Sequence, residues 1–188
     1  MSESFTVLGH SVQAILSNVP CGHWVVMAVL ALAVMVFLLI RKKCSAYAAL
    51  AMGLTVFVGL FLLETAVVMR LCGNYPYNSG VTWGFDRIIH PSVSGWAELI
   101  SNVVVFIPFG LFLSEFLASA KRFSAGRRLG LATLAGFGLS LCIECLQLLL
   151  RVGFFELTDL VMNTLGAFVG ALISAGLRKV VGERSHGL

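Results

Sequence analysis

The sequence predicts an all-α polytopic membrane bundle of about five transmembrane helices, forming one domain over residues 1–188. Three observations predict it. The chain is 59% hydrophobic and only 12% charged, with a mean hydropathy of +0.95, which soluble domains of this length rarely reach. Its apolar residues gather in five long segments, each near the roughly 20 residues that a helix needs to cross about 30 Å of hydrocarbon. The segments lack the two-residue alternation of barrel strands, and a backbone in lipid must satisfy its own hydrogen bonds, so helices are the economical reading.

The first segment, Trp24–Ile40, is uncharged. Residues 1–20 carry no basic n-region and contain polar breaks, so they do not read as a secretory signal, and segment one is expected to be retained. The second, Cys44–Leu63, closes on Glu64 and runs on to about Met69. The third, Leu99–Ser114, is extended by "EFLASA". Pro108 inside it should kink the helix, with Gly110 relaxing the packing and opening a space beside Asn102. The fourth, Leu129–Leu150, is interrupted by Glu144 and Gln147. The fifth, Leu160–Leu177, contains "GAFVG", a GxxxG read as a packing face within the chain.

Arg41–Lys43 follow segment one, Lys121, Arg122, Arg127 and Arg128 precede segment four, and Arg178, Lys179 and Arg184 follow segment five. These places hold ten of the thirteen Lys and Arg residues, all on one side of a five-helix topology. The positive-inside rule therefore predicts an external N-terminus and a cytoplasmic C-terminus. The stretch from Arg70 to Glu98 is expected on the outer surface, with Tyr75, Tyr77, Trp83 and Trp96 as an interfacial belt.

The polar residues inside the segments are not scattered. Glu144, Gln147 and Arg151 are spaced i, i+3, i+7, one helix face. Asp159, Asn163, Gly166 and Gly170 share a face of the next segment, and "VGFFELT" is read as the turn between the two. Glu98 and Asn102 open segment three, and Glu64 and Arg70 close segment two. All fall at one depth, in the outer half of the bilayer, while Glu115 stands nearly alone at the other end. The order Glu, Arg, loop, acid-x-x-x-Asn occurs in both hairpins, a similarity weak enough to be chance. A charge at a helix centre costs about 2.5–3.5 kcal/mol on insertion scales, so such groups face one another or a wet cavity. The cluster is either a ligand site or a clamp that fixes helix register.

The residues "NVVVFIPFG" (Asn102–Gly110), "IECLQ" (Ile143–Gln147), Arg151 and "TDLVMNTLGAFVG" (Thr158–Gly170) resemble the VanZ-like family, over a core of about residues 98–177. That family is named for a protein linked to low-level teicoplanin resistance. The resemblance implies a multi-pass protein of the bacterial cell membrane. It implies action on lipid head groups or lipid-linked cell-wall intermediates, and associates the chain with glycopeptide resistance, a phenotype of particular members. Members often carry an "N-L-x-P-F"-like element before the Asn helix; "RIIHP" (Arg87–Pro91) is an imperfect version, so no role passes to Asp86, Arg87 or His90.

Three functions stay open at this point. An enzyme acting on a phosphate-bearing lipid would use Arg151 as a bidentate phosphate donor. Glu144 or Asp159 would then act as general base, with Asn102, Gln147 and Asn163 orienting the head group. Non-catalytic binding of a lipid or glycopeptide would use the same residues. A structural or transport-related subunit would use them only to fix packing. The expected partner is a membrane lipid or lipid-linked head group; no nucleic acid, cofactor or metal is expected, because His10, His23, His90 and His186 are scattered and no nucleotide fingerprint appears. Cys142 and Cys145 form a CxxC inside a helix and read as small buried hydrophobes, while a Cys21–Cys72 disulfide is geometrically open at the outer side.

Overall fold

The computed structural model describes residues 19–41, 44–72, 78–90, 92–119 and 123–185. The expectations placed on residues 1–18, Lys42, Lys43, Tyr75, Tyr77, Pro91, Lys121, Arg122 and His186 lie outside these residues, as does the side chain of Arg184. Among the described residues, five helices are long and apolar enough to cross a membrane.

Helix α1 is Cys21–Ile40. Helix α2 is Ala46–Leu63, started by Ser45, whose side chain accepts from the Ala48 N–H. It widens into a π turn over Glu64–Val68, where the Met69 N–H reaches the Glu64 carbonyl, and ends in α3, Met69–Cys72. Strand β1 is Asn78–Thr82, and α4 is a short turn, Asp86–Ile89. Helix α5 is Val93–Ser119 and keeps Pro108 in its interior. Helix α6 is Ala125–Leu150, capped at its start by Ser124. Strand β2 is Val152–Glu156, and α7 is Leu157–Ser185.

The two strands were not expected. "VGFFE" is a strand rather than a simple turn, and it pairs in parallel with β1, from Asn78↔Val152 to Thr82↔Glu156. Its Val and Phe residues suit extended backbone, and its N–H and C=O groups need partners that neither flanking helix supplies. The pair joins the α3–α5 connection to the α6–α7 connection at one end of the bundle, termed the loop end.

Helices in lipid gain little from apolar contact with each other, so close approach through small residues sets their packing. The α5–α7 interface is the most extensive helix pair. A Cβ on Gly166 would overlap the Val103 carbonyl, one on Gly170 the Ile107 carbonyl, and one on Gly110 the Ala167 carbonyl. The GxxxG face is thus spent inside the chain. Leu62, Val67, Phe106, Phe109, Ile143 and Ala167 form the apolar core beside it.

At the basic end, Glu115 is buried and fully engaged. Tyr47 Oη donates to it at 2.5 Å, Ser174 Oγ at 2.6 Å, and Arg178 Nη2 at 2.5 Å. This ties α2, α5 and α7 together. Cys142 is exposed on α6 and Cys145 half-buried, so Cys142 is not the small buried hydrophobe expected; its position turns it off the face that carries Ile143, Glu144 and Gln147. Cys21 and Cys72 are free, exposed thiols.

Candidate functional site

A cavity of about 290 Å³ opens between α2, α3, α5, α6 and α7, toward the loop end. Its apolar walls include Phe61, Leu62, Val105 and Phe106, and its polar lining includes Arg70, Asn102, Glu144, Gln147, Asp159 and Asn163. The structure therefore brings together five of the six site residues named from the sequence. Arg151 is not among them. It caps α6 in the left-handed conformation, with φ of 59°, and its side chain is exposed.

Arg70 stands at the cavity instead. The π turn is the physical reason: it inserts an extra residue into the helical repeat and rotates α3 relative to a continuous α-helix. The Arg70 guanidinium packs on β2, with Nη1 donating to the Val152 carbonyl at 3.5 Å. Gly153 makes room for it, since a Cβ there would lie 2.6 Å from Nη1. The same π turn is braced from α6 by Gln147, whose Nε2 donates to the Ala66 carbonyl at 3.0 Å. Glu64, at its start, is bonded to His23 of α1.

Glu144 is 2% exposed and has no ion-pair partner among the described residues. Its Oε2 accepts from the backbone N–H of Glu156 at 2.9 Å. Asn163 Nδ2 donates to Ser140 Oγ at 3.0 Å. Its Oδ1 is buried without a hydrogen-bond partner, and so are Asn102 Nδ2 and Thr158 Oγ1. An unpaired buried polar atom costs about 1–3 kcal/mol, so the two on the cavity lining, on Asn102 and Asn163, call for an explanation.

Arg87, from α4, closes the loop end. Its Nε lies 3.4 Å from Glu98, its Nη2 2.5 Å from Glu156, and its Nη1 3.2 Å from Asp159. The Glu156 contact is an ion pair rather than an aligned hydrogen bond. Burial pushes the Glu156 carboxyl above the ordinary carboxylate value, with Arg87 opposing and Glu98 reinforcing the shift. Sequence reasoning missed Arg87 and Glu156. The visible signal was the clustering of acids at Glu98, Glu156 and Asp159, more than Arg70 and Arg151 would balance. Among the described residues no three His, Cys, Asp or Glu side chains converge as a metal site requires.

A family model described as VanZ/LLP1 matches residues 24–178, most of the chain. The chain belongs to the VanZ/LLP1 family. Among curated relatives, Protein VanZ from Enterococcus faecium is 32% identical over 81 residues, 42% of this chain. The match spans 45% of that relative's length. No solved structure matches the chain.

Proposed function

We propose that this VanZ/LLP1 protein sits in the bacterial cell membrane and takes the polar head group of a lipid, or of a lipid-linked envelope intermediate, into the loop-end cavity. The observation that carries this reading is the set of unpaired buried atoms, Asn102 Nδ2 and Asn163 Oδ1, on residues lining a cavity that Arg70 also lines. A clamp would use up its own polar groups. Gln147 and Arg87 do so and hold the walls in place. Asn102, Asn163 and Glu144 keep capacity for a guest. The cavity is close to the small end of ligand pockets, about 300–1,000 Å³. It suits a head group, with the acyl chains left in the membrane.

The excess of basic residues at the opposite end supports an outer-leaflet mouth. Glu144 and Asp159 are the groups placed for proton transfer if the bound head group reacts, with Arg70 in the anion-binding role that spacing alone gave to Arg151. A member acting on lipid-linked wall intermediates there would alter sensitivity to teicoplanin, the phenotype associated with the family name.

Mass spectrometry of lipids retained by the purified full-length chain tests the reading. Wild type should retain phosphorus-bearing lipid that the Asn102→Ala/Asn163→Ala variant, recovered as monodisperse protein, loses. Equal retention by both would overturn the reading.

A further inference from the structure

The cavity's unspent polar groups are not mixed at random. Ser101, Thr65 and Gln147 give their hydrogens to backbone carbonyls: Ser101 Oγ to Ala97 at 2.7 Å, Thr65 Oγ1 to Phe61 at 2.9 Å, and Gln147 to Ala66. Asn163 Nδ2 gives one hydrogen to Ser140 Oγ. On the α3 and α5 side the buried unpaired atom is a donor, Asn102 Nδ2, and the Arg70 guanidinium shares the lining with it. The α6 and α7 side offers acceptors: Glu144 beyond its one bond from the Glu156 N–H, Asp159 beyond its Arg87 contact, and the unpaired Asn163 Oδ1, on a side chain only 6% exposed. The charge count leans the same way. On the lining itself two carboxyl groups, Glu144 and Asp159, stand against one guanidinium, Arg70, so a purely anionic guest meets more carboxyl than cation.

We infer that the guest is bipolar: a phosphate-type anion set against Arg70 and Asn102, joined to a primary ammonium set against Glu144, Asp159 and Asn163, the chemistry of an amino-phospholipid head group. This rests on the head-group reading above. Each wall then finds the partner it lacks, and the ammonium supplies three hydrogens to three acceptors. Hydrogen bonds to charged groups are the strong ones, so the amine carries much of the selectivity.

Native mass spectrometry of the full-length chain in detergent tests it, with phosphatidylethanolamine, the same lipid N-acetylated, and phosphatidylglycerol at equal concentration. Phosphatidylethanolamine should be retained about tenfold more than either of the others. Glu144→Gln should cut that preference several-fold, its amide oxygen still accepting from Glu156. Equal retention of phosphatidylethanolamine and either competitor by wild type would overturn the inference while leaving head-group binding intact. If no lipid is retained above the level of the Asn102→Ala/Asn163→Ala variant, the head-group reading falls and this inference with it.

Discussion

Replacing Gly170 with alanine tests how tightly the site depends on helix packing. The added Cβ would overlap the Ile107 carbonyl oxygen and lie 2.7 Å from Leu111 N and 3.0 Å from Ile107 C. These are backbone atoms of α5, so no side-chain rotation relieves the clash. Restoring an ordinary 3.4 Å contact at Leu111 N requires α5 and α7 to part by 0.7 Å there, and by more at the carbonyl. Overpacking of this kind costs about 1–3 kcal/mol. Asn163 lies two turns along α7 from Gly170 and Asn102 faces the same interface from α5, so the separation also loosens the cavity. Gly138→Ala on α6 is the control, because nothing lies within 4 Å of a Cβ there. Thermal unfolding in detergent, followed by size-exclusion of the surviving monodisperse protein, should show Gly170→Ala melting several degrees below wild type and Gly138→Ala unchanged or higher. Equal midpoints for the two variants would refute close backbone contact as what holds α5 on α7.

Gln147→Leu strands the Ala66 carbonyl in the π turn and should cost about 1–3 kcal/mol, measured as a lowered thermal midpoint. Gln147→Glu should lose that contact as well, and a wild-type midpoint in both variants would deny Gln147 its bracing role. Glu156, outside the spans, has a carboxyl raised by burial above the ordinary 4.5. Its folded state favours the proton, so the stabilisation is complete below about pH 4.5 and is lost as pH rises through the raised folded value. The midpoint difference between wild type and Glu156→Gln should therefore shrink with rising pH, and a flat difference would count against the shift. In whole cells, single-cysteine variants keeping Cys21 or Cys72 should react with a membrane-impermeant maleimide, while one keeping Cys44 should not. The reverse pattern would invert the topology inferred from the basic residues.

Much of the bundle was readable because lipid imposes a simple rule on sequence. Long uncharged runs such as Trp24–Ile40 have no other economical fold, and α1 covers that run. Asn102, Glu144, Gln147, Asp159 and Asn163 were readable as a group because helical spacing alone puts them on faces at one depth. Arg151 and Arg70 show where that logic ends. Spacing assumes an unbroken α-helix, but Arg151 sits past the end of its helix in the left-handed conformation, and a π turn resets the phase ahead of Arg70. The β1–β2 pair and the Arg87 network join residues some seventy positions apart. No local periodicity encodes such a meeting; it arises from how the helices bring their connections together.

The knot of Tyr47, Glu115, Ser174 and Arg178 has a mechanical consequence. It fastens α2, α5 and α7 at one end, whereas past the glycine contacts their far ends are joined through loops, two short strands, ion pairs and the Gln147 brace. A molecule fastened at one end does not widen uniformly; it splays, like tongs about a rivet. Ser174 lies eleven residues along α7 from Asn163, a lever arm of about 16 Å, so a tilt of about ten degrees moves the cavity wall by about 3 Å. Tilt of α7 about that pivot would part Gly166 from Val103 as it moved Asn163, so widening the cavity would loosen the far half of the glycine-lined interface while the rivet held.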